Sequence, residues 1–212
     1  MRMEAEGATK FIEDFQKSLP VDINSIKELN AWRKILFIKG LIGCKDKIGY
    51  GNVSQRANGK SFIITGSQTG HLEDLTEMHY STVKEFYPEK NRVVSEGPIR
   101  ASSESMTHGS IYDIDEFIKF VFHVHSLEIW KYAKSIGIPI TKENVEYGTP
   151  EMAREVERIF KETDVKDWHI FSMGGHEDGI FSFGKTADIA GYTILYNLER
   201  ARSIERRLNK PS

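Results

Sequence analysis

The segment FIKFVFHVHS (residues 117–126) is an apolar run that ends in two histidines one residue apart, His123 and His125. Its residue types are typical of a buried β-strand. Successive side chains of a strand point to opposite faces of the sheet, so residues two apart share a face. We therefore expect both imidazole rings to point the same way. Two neutral nitrogen ligands aimed at one point suit a zinc-like cation, and one ring in the core with the other facing a loop is the alternative.

The composition of the 212 residues is that of an ordinary globular protein, with 39% hydrophobic residues, 28% charged residues and a formal net charge of −2. The length predicts one domain over 1–212, with residues 1–20 as a possible N-terminal extension. The balanced charge predicts no nucleic-acid partner. No apolar run reaches the roughly 20 residues that cross a bilayer, so no membrane partner is expected. The single cysteine, Cys44, and a charged N-terminus without a signal-peptide core indicate a cytoplasmic protein.

The spacing of apolar, glycine and proline residues predicts alternating helices and strands. We predict strands at 52–56 and 61–65, joined as a hairpin through Asn58-Gly59, and strands in WHIFSM (168–173) and GIFSF (179–183). Predicted helices begin near Asn24 or Ser25, lie at about 72–86, 103–112 and 127–137, and begin again at Thr149-Pro150 and Thr186. Because tight turns as well as helices join the strands, an antiparallel or mixed sheet layered with helices is expected.

A metal held by His123 and His125 needs a third protein ligand. His79 and His108 fall in predicted helices and His169 in a predicted strand, where a structural role is the default. His176 lies in GGHEDG (174–179), a glycine-rich loop of the kind that presents a polar side chain. It is the candidate third ligand, although the spacing alone leaves this open.

The acid Glu104 follows two serines, Ser102 and Ser103, at the predicted start of a helix. One interpretation is structural, with a serine as cap and the carboxylate complementing the helix dipole. The other is chemical, because free N–H groups and hydroxyls at a helix start bind oxyanions and a carboxylate beside a metal can act as general acid/base. Two turns, GYGNVS (49–54) and TGSQTG (65–70), could also present amides to an anion, or could simply connect strands.

Taken in order, these segments resemble the class II aldolase/adducin family, which includes aldolases of the L-fuculose-1-phosphate type. The segments, over about residues 28 to 202, are GNVSQR, the TG turn, SSE…H…IY, HVHS, IPI…YGTPEMA, the glycine-flanked histidine and GKTADIAGYTILYNLERA. The resemblance implies a three-layer α/β/α fold around a central, largely antiparallel sheet, assembled as a homotetramer. It implies a metal-dependent sugar-phosphate aldolase, which cleaves or forms a C–C bond of a phosphorylated ketose through a metal-stabilised enediolate. Methylthioribulose-1-phosphate dehydratases and ribulose-5-phosphate 4-epimerases use the same site, and a non-catalytic adducin-like module is the alternative of another class.

The resemblance also assigns roles to individual residues. Zinc or another divalent metal would be held by His123, His125 and His176, and Glu104 would be the catalytic acid/base. The substrate phosphate would be bound by Gly51, Asn52, Thr69, Gly70, Ser102 and Ser103, with Ser67 as an alternative to Thr69.

A tyrosine donated by the neighbouring subunit is a further feature that the resemblance implies. It falls on Tyr147, with Asn144 and Glu143 as alternatives for the second proton donor. The residues after His176, Glu177 and Asp178, would add carboxylates near the metal.

Overall fold

The computed structural model describes residues 9–209. The strands are β1 (Ile12–Lys17), β2 (Gly43–Lys45), β3 (Ile48–Tyr50), β4 (Asn52–Arg56), β5 (Phe62–Thr65), β6 (Tyr80–Tyr87), β7 (Arg92–Gly97), β8 (Phe120–His125), β9 (Ile170–Ser172) and β10 (Gly179–Gly184). Eight of them form one sheet in the order β1-β7-β6-β5-β4-β8-β10-β9, and β2 pairs with β3 separately. Among these strands only β1 and β7 pair in parallel, so the sheet is largely antiparallel.

Helices cover both faces of this sheet. They are α1 (Lys27–Ile38), α2 (Ser105–Ile114), α3 (Leu127–Tyr132), α4 (Pro150–Glu162), α5 (Val165–Trp168) and α6 (Ala187–Leu208). One hydrophobic core joins α1, α3 and α6 to one face, and a second core joins α2, α4 and α5 to the other. In β8, Phe122 and Val124 pack into the first core and Val121 into the second, as strand alternation requires. The predicted three-layer α/β/α fold is confirmed.

The helix predicted at about 72–86 is wrong. The chain there forms a short 3-10 helix, Glu77–His79, followed by strand β6. That strand lies between β5 and β7 in the sheet, and it alternates buried positions such as Val83 with exposed ones such as Lys84. Its aromatic and β-branched residues favour a pleated, half-buried surface, and pairing with two neighbours outweighs the weak helical spacing.

Four strands and two helix bounds also differ from the sequence prediction. Strands β1, β2, β3 and β7 were not predicted: β1 and β7 pair with each other at one edge of the sheet, and β2 pairs with β3. Residues 1–8 of the predicted N-terminal extension lie outside the described residues, but 12–17 are part of the main sheet. A 3-10 turn, Ile23–Ile26, leads into α1, and its cap is Asp22, whose side chain accepts a hydrogen bond from the Asn24 amide, rather than Asn24 or Ser25. Helix α3 is shorter than predicted and ends at Tyr132.

The predicted hairpin and the predicted helix starts at Thr149-Pro150 and Thr186 are confirmed. Strands β4 and β5 pair antiparallel across the Asn58-Gly59 turn. Thr149 accepts a hydrogen bond from the Met152 amide at the start of α4, and Thr186 does the same for α6. Between residues 9 and 209, no helix combines the length and the apolar composition that crossing a membrane requires.

Candidate active site

Three imidazole rings meet at the end of strand β8. His123 and His125 lie two residues apart on that strand, and their Nε2 atoms are 3.2 Å apart. The Nε2 atom of His176 lies 3.3 Å from that of His125. Each ring offers a nitrogen within 4.8 Å of those of the other two. The structure therefore brings together the strand pair and the loop histidine that the sequence singled out.

The loop between β9 and β10 carries His176 to this point. Its ends are joined by hydrogen bonds from the Met173 amide to the Gly179 carbonyl (2.9 Å) and from the Gly179 amide to the His176 carbonyl (3.0 Å). A Cβ atom at Gly179 would lie 2.5 Å from Cδ2 of His176, so only glycine lets the imidazole fold back over the turn. The amide of Gly174 donates to the Thr141 hydroxyl at 3.0 Å, which ties this loop to the segment before α4.

All three histidines are held in the neutral form. Burial is the main cause: it lowers the pKa of His125 to about 3 and that of His176 to about 4. Burial, reinforced by the neighbouring imidazoles, lowers the pKa of His123 well below its ordinary value. Neutral imidazole nitrogens directed at one point are the donor set that zinc and similar divalent ions prefer. The three residues therefore fit a divalent metal.

Glu104 occupies the N-cap position of α2, but its side chain does not cap the helix. The carboxylate is buried, with 4% of the residue exposed, and accepts a hydrogen bond from the Thr107 hydroxyl at 3.0 Å. Burial raises the pKa of Glu104 to about 7, against the opposing effects of Thr107 and of the Lys10 cation. A carboxyl with such a pKa can accept or donate a proton near neutrality, which is what general acid/base chemistry needs.

The histidines and Glu104 line one small cleft. Its lining residues are Gly49, Tyr50, Gly51, Asn52, Ser103, Glu104, His123, His125, Tyr147 and His176. A second, polar cleft adjoins it and is lined by Gly49, Gly51, Asn52, Gly66, Ser67, Gln68, Thr69, Gly70, Ser102 and Ser103. We call the first the histidine cleft and the second the anion cleft. The structure thus brings all six residues predicted to bind phosphate into one cleft, beside the metal-ligating candidates.

Two features of the anion cleft come from its turns. Gly51 has a φ of +74°, and a Cβ atom there would lie 2.7 Å from Cγ1 of Ile42, so the turn before β4 requires glycine. In the second turn the Thr69 hydroxyl donates to the Gly66 carbonyl at 2.8 Å. Ser67 is half-buried, and no hydrogen bond of its hydroxyl is found among the described residues. The Ser67 hydroxyl is therefore better placed than that of Thr69 to donate to a ligand.

Tyr147 lies in the histidine cleft of its own chain. Its ring is 4.8 Å from the ring of His176, and Nζ of Lys10 lies 4.3 Å above its centroid. Packing of the segment before α4 on the His176 loop brings this tyrosine to the site of its own chain, and donation to a neighbouring subunit stays a prediction of the resemblance. The alternatives Asn144 and Glu143 are exposed.

The carboxylates after His176 are less close to the imidazoles than their sequence position suggests. Among the described residues, the group of converging ligand atoms comprises the three histidines, without Glu177, Asp178 or Glu104. Glu177 is exposed, and Asp178 lines a different cleft, which His125 also lines. The backbone of Asp178 is left-handed, with φ of +67°.

Two basic residues near these clefts were missed by sequence reasoning. Arg33, on α1, is 1% exposed, and its guanidinium donates to the carbonyls of Thr69 (3.0 Å) and Glu73 (2.8 Å), which fixes the second turn of the anion cleft. Lys10 pairs with Glu146 at 2.8 Å beside Tyr147. Neither lies in a motif. An arginine on an amphipathic helix and a lysine near the N-terminus are ordinarily surface residues, so the sequence carries no signal for them.

The fold agrees with comparisons to known proteins. L-fuculose-1-phosphate aldolase from Thermus thermophilus is 21% identical, with a TM-score of 0.65 over 88% of this chain and 97% of that one. A sugar-phosphate aldolase from Thermotoga maritima is 17% identical, with a TM-score of 0.65 over 89% of this chain and 97% of that one. YgbL from Klebsiella pneumoniae, described by three candidate activities, aldolase, epimerase and decarboxylase, is 16% identical, with a TM-score of 0.65 over 90% and 93%. At these identities the likeness shows the fold.

Family membership rests on the sequence itself. A search of curated proteins finds no match. The family model of the class II aldolase and adducin N-terminal domain matches residues 45–205, which is most of the chain. The protein therefore belongs to the class II aldolase and adducin N-terminal domain family.

Proposed function

We propose that this protein is a metal-dependent sugar-phosphate aldolase that breaks or forms a C–C bond of a phosphorylated ketose. The observation that carries the proposal is the continuity of the two clefts. Gly51, Asn52 and Ser103 line both the anion cleft and the histidine cleft. A phosphate bound in the first would place the adjoining sugar carbons beside the imidazoles and Glu104, and such positioning is a large part of catalysis.

The chemistry of the anion cleft supports phosphate as its ligand. Its lining among the described residues consists of glycines, hydroxyl side chains and amide side chains, with no carboxylate to repel an anion. Ser102 and Ser103 precede α2, where helix N–H groups without partners favour negative charge. The turn that contains Thr69 and Gly70 is fixed from behind by the guanidinium of Arg33.

His123, His125 and His176 would hold the metal, for which we propose zinc. Bound there, the ion would act as a Lewis acid on the carbonyl of the substrate. The residues themselves supply the preorganisation. Strand β8 fixes the spacing of two rings and the β9–β10 loop fixes the third, while burial keeps all three neutral.

Glu104 would move a proton to or from the carbon beside the carbonyl. Its pKa of about 7 lets the same carboxyl work in both directions of a reversible reaction. The hydroxyl of Tyr147 would serve the second proton transfer, at the oxygen that becomes an aldehyde when the C–C bond breaks. Both side chains line the histidine cleft, which supports these roles.

The assembly and location that we propose are a homotetramer in the cytoplasm. The homotetramer is what the family resemblance implies, and Cys44, the single cysteine, supports a reducing compartment. The proposed partner is a small phosphorylated sugar.

The test is a product analysis of the metal-loaded protein with a panel of phosphorylated ketoses. Release of an aldehyde and a shorter ketone phosphate is the expected result. Elimination of water would indicate a dehydratase, and inversion at one carbon would indicate an epimerase, both of which could use the same residues. Loss of turnover in His123→Ala and Glu104→Gln would tie the reaction to this cleft. A metal-loaded protein that transforms no member of the panel would contradict the proposal and favour a binding module.

A further inference from the structure

His108, on α2, is a fully buried histidine that the proposed chemistry does not use. Both of its ring nitrogens have polar partners from strand β4: Nδ1 lies 2.6 Å from the Ser54 hydroxyl and Nε2 lies 2.7 Å from Oδ1 of Asn52. The Ser54 hydroxyl also lies 2.8 Å from the hydroxyl of Tyr112. These four residues form one buried chain of hydrogen bonds, Tyr112–Ser54–His108–Asn52, which ends at the anion cleft.

The imidazole of His108 is neutral, since burial lowers its pKa to about 3. Its ring also packs at 5.3 Å against that of Phe181, an apolar neighbour on β10. A neutral imidazole has one N–H donor and one acceptor nitrogen. The nitrogen that carries the proton therefore fixes the direction of both hydrogen bonds that His108 makes.

The interatomic distances favour the proton on Nε2. In that case the Ser54 hydroxyl donates to Nδ1 at 2.6 Å and accepts from the Tyr112 hydroxyl at 2.8 Å, so two short bonds satisfy the chain. With the proton on Nδ1, the Ser54 and Tyr112 hydroxyls can still bond to each other, but one of their two protons must then reach a carbonyl. The available ones are Val121, 3.4 Å from the Ser54 hydroxyl, and Lys119, 3.5 Å from that of Tyr112. Bonds of this length are weak, and a buried hydroxyl without a good acceptor costs about 1–3 kcal/mol.

The direction of the chain decides what Asn52 presents to a ligand. A proton on Nε2 is donated to the side-chain oxygen of Asn52, which leaves the NH₂ group of that amide for the anion cleft that Asn52 lines. The opposite tautomer would accept from the NH₂ group and turn the oxygen toward the ligand, where it would repel a phosphate. We propose that His108 is a positioning residue, whose Nε2–H tautomer locks the Asn52 amide with its NH₂ group toward the anion cleft. This inference rests on the proposed function in so far as the cleft binds phosphate.

The first experiment reads the tautomer directly in the metal-loaded protein. Two-bond ¹H–¹⁵N correlation spectra of imidazole-labelled protein distinguish a protonated nitrogen from an unprotonated one. We expect His108 to carry its proton on Nε2, in the absence of any ligand and without a change between pH 6 and pH 8, a range that lies above its pKa of about 3. A proton on Nδ1 would overturn the inference, whatever the protein binds or catalyses.

The second experiment measures the affinity for inorganic phosphate by calorimetry. His108→Phe keeps a ring in the core but removes both nitrogens, so the Asn52 amide is no longer oriented and the dissociation constant should rise about tenfold. Asn52→Asp should raise it further, because a carboxylate then faces the anion. The matched control is His169→Phe, which replaces a histidine packed on Phe183 away from both clefts and should leave phosphate affinity unchanged.

The outcomes separate this inference from the proposed function. Unchanged affinity in His108→Phe with a large loss in Asn52→Asp would overturn the positioning role and leave the phosphate site intact. Unchanged affinity in both variants would mean that the anion cleft is not the phosphate site, and the proposed function would fail with the inference. Should His108→Phe not fold, the tautomer in the wild-type protein still decides the question.

Discussion

The ring of Tyr147 packs edge-on against the ring of His176 of the same chain, with 4.8 Å between centroids and 63° between planes. Tyr147 is 7% exposed, and the same cleft holds Glu104. The contact is possible because the segment 141–147 is bound to the β9–β10 loop, as in the hydrogen bond from the Gly174 amide to the Thr141 hydroxyl. A candidate proton donor and a candidate metal ligand are thus supplied by one subunit.

This arrangement predicts the result of mixing two inactive variants. If Tyr147 serves its own chain, neither Tyr147→Phe nor Glu104→Gln chains contain a complete site, and mixed oligomers should stay inactive. If the tyrosine serves a neighbour, subunits of the mixture would combine into some intact sites. The measurement is turnover after the two variants are unfolded together and refolded. Recovery of a substantial fraction of wild-type activity would contradict the one-subunit arrangement.

Metal content provides a prediction that does not depend on finding the substrate. The protein purified without chelator should carry about one divalent ion per chain, since three neutral imidazoles converge. His123→Ala and His176→Ala should each lose most of it. His79→Ala, which alters a half-buried histidine outside the histidine cleft, is the matched control and should keep the full complement. Elemental analysis that finds the wild-type amount in both cleft variants would disprove the assignment.

Turnover separates the two interpretations of Glu104. If Glu104 is the acid/base, Glu104→Gln should lower the rate by roughly a hundredfold or more while the metal is retained. If Glu104 only supports the start of α2, the same substitution should leave the rate unchanged. The structure favours the first, because the side chain makes no cap hydrogen bond and faces the histidine cleft. Wild-type turnover in a folded, metal-loaded variant would end the catalytic role.

The pH dependence of stability tests the burial of the same carboxyl in metal-free protein. The pKa of Glu104 rises from 4.5 to about 7 on folding. Between these values the folded protein holds a proton that the unfolded chain has lost, so the free energy of unfolding falls as the pH rises through this window. The full difference in the free energy of unfolding is about 3 kcal/mol.

The test is urea unfolding of Glu104→Gln, whose side chain cannot titrate. Relative to the wild type, its free energy of unfolding should rise by about 3 kcal/mol between pH 4.5 and pH 8. An exposed substitution, Glu143→Gln, should follow the wild-type curve, and a Glu104→Gln curve parallel to the wild type would contradict the burial.

Much of the site could be predicted because the positions of its residues follow from local sequence patterns. Strand alternation alone places His123 and His125 on one face, and a glycine-rich loop is a fair indicator of His176. Alternation also carried a signal that was not used: Asn52 and Ser54 are two residues apart on a strand, so both can face one histidine of α2. His108 was instead interpreted as an ordinary helix residue.

The remaining features depend on contacts between distant parts of the chain. Lys10 pairs with Glu146 across a separation of 136 residues, and no sequence pattern around either residue predicts that contact. Strand β6 was missed because the residues of 80–87 fit either period weakly, and its pairing with β5 and β7 decides the outcome. The burial that shifts the pKa of Glu104 is likewise a property of the assembled layers.

The last prediction concerns which hydroxyl of the second turn binds the ligand. The Thr69 hydroxyl already donates to the Gly66 carbonyl at 2.8 Å, whereas that of Ser67 has no such bond among the described residues. A hydrogen bond to a charged group contributes about 1.5–3 kcal/mol, so Ser67→Ala should weaken the binding of inorganic phosphate by at least about tenfold. Thr69→Ser keeps the hydrogen bond to the Gly66 carbonyl, which leaves the turn in place. This variant should therefore weaken phosphate binding by less than about threefold. Ser61→Ala, in the β4–β5 hairpin, is the matched control, because its hydroxyl donates to the Asn58 carbonyl away from both clefts. If calorimetry shows that Ser67→Ala binds phosphate as tightly as the control, the phosphate must be bound by Thr69 or by the backbone amides of the turn instead.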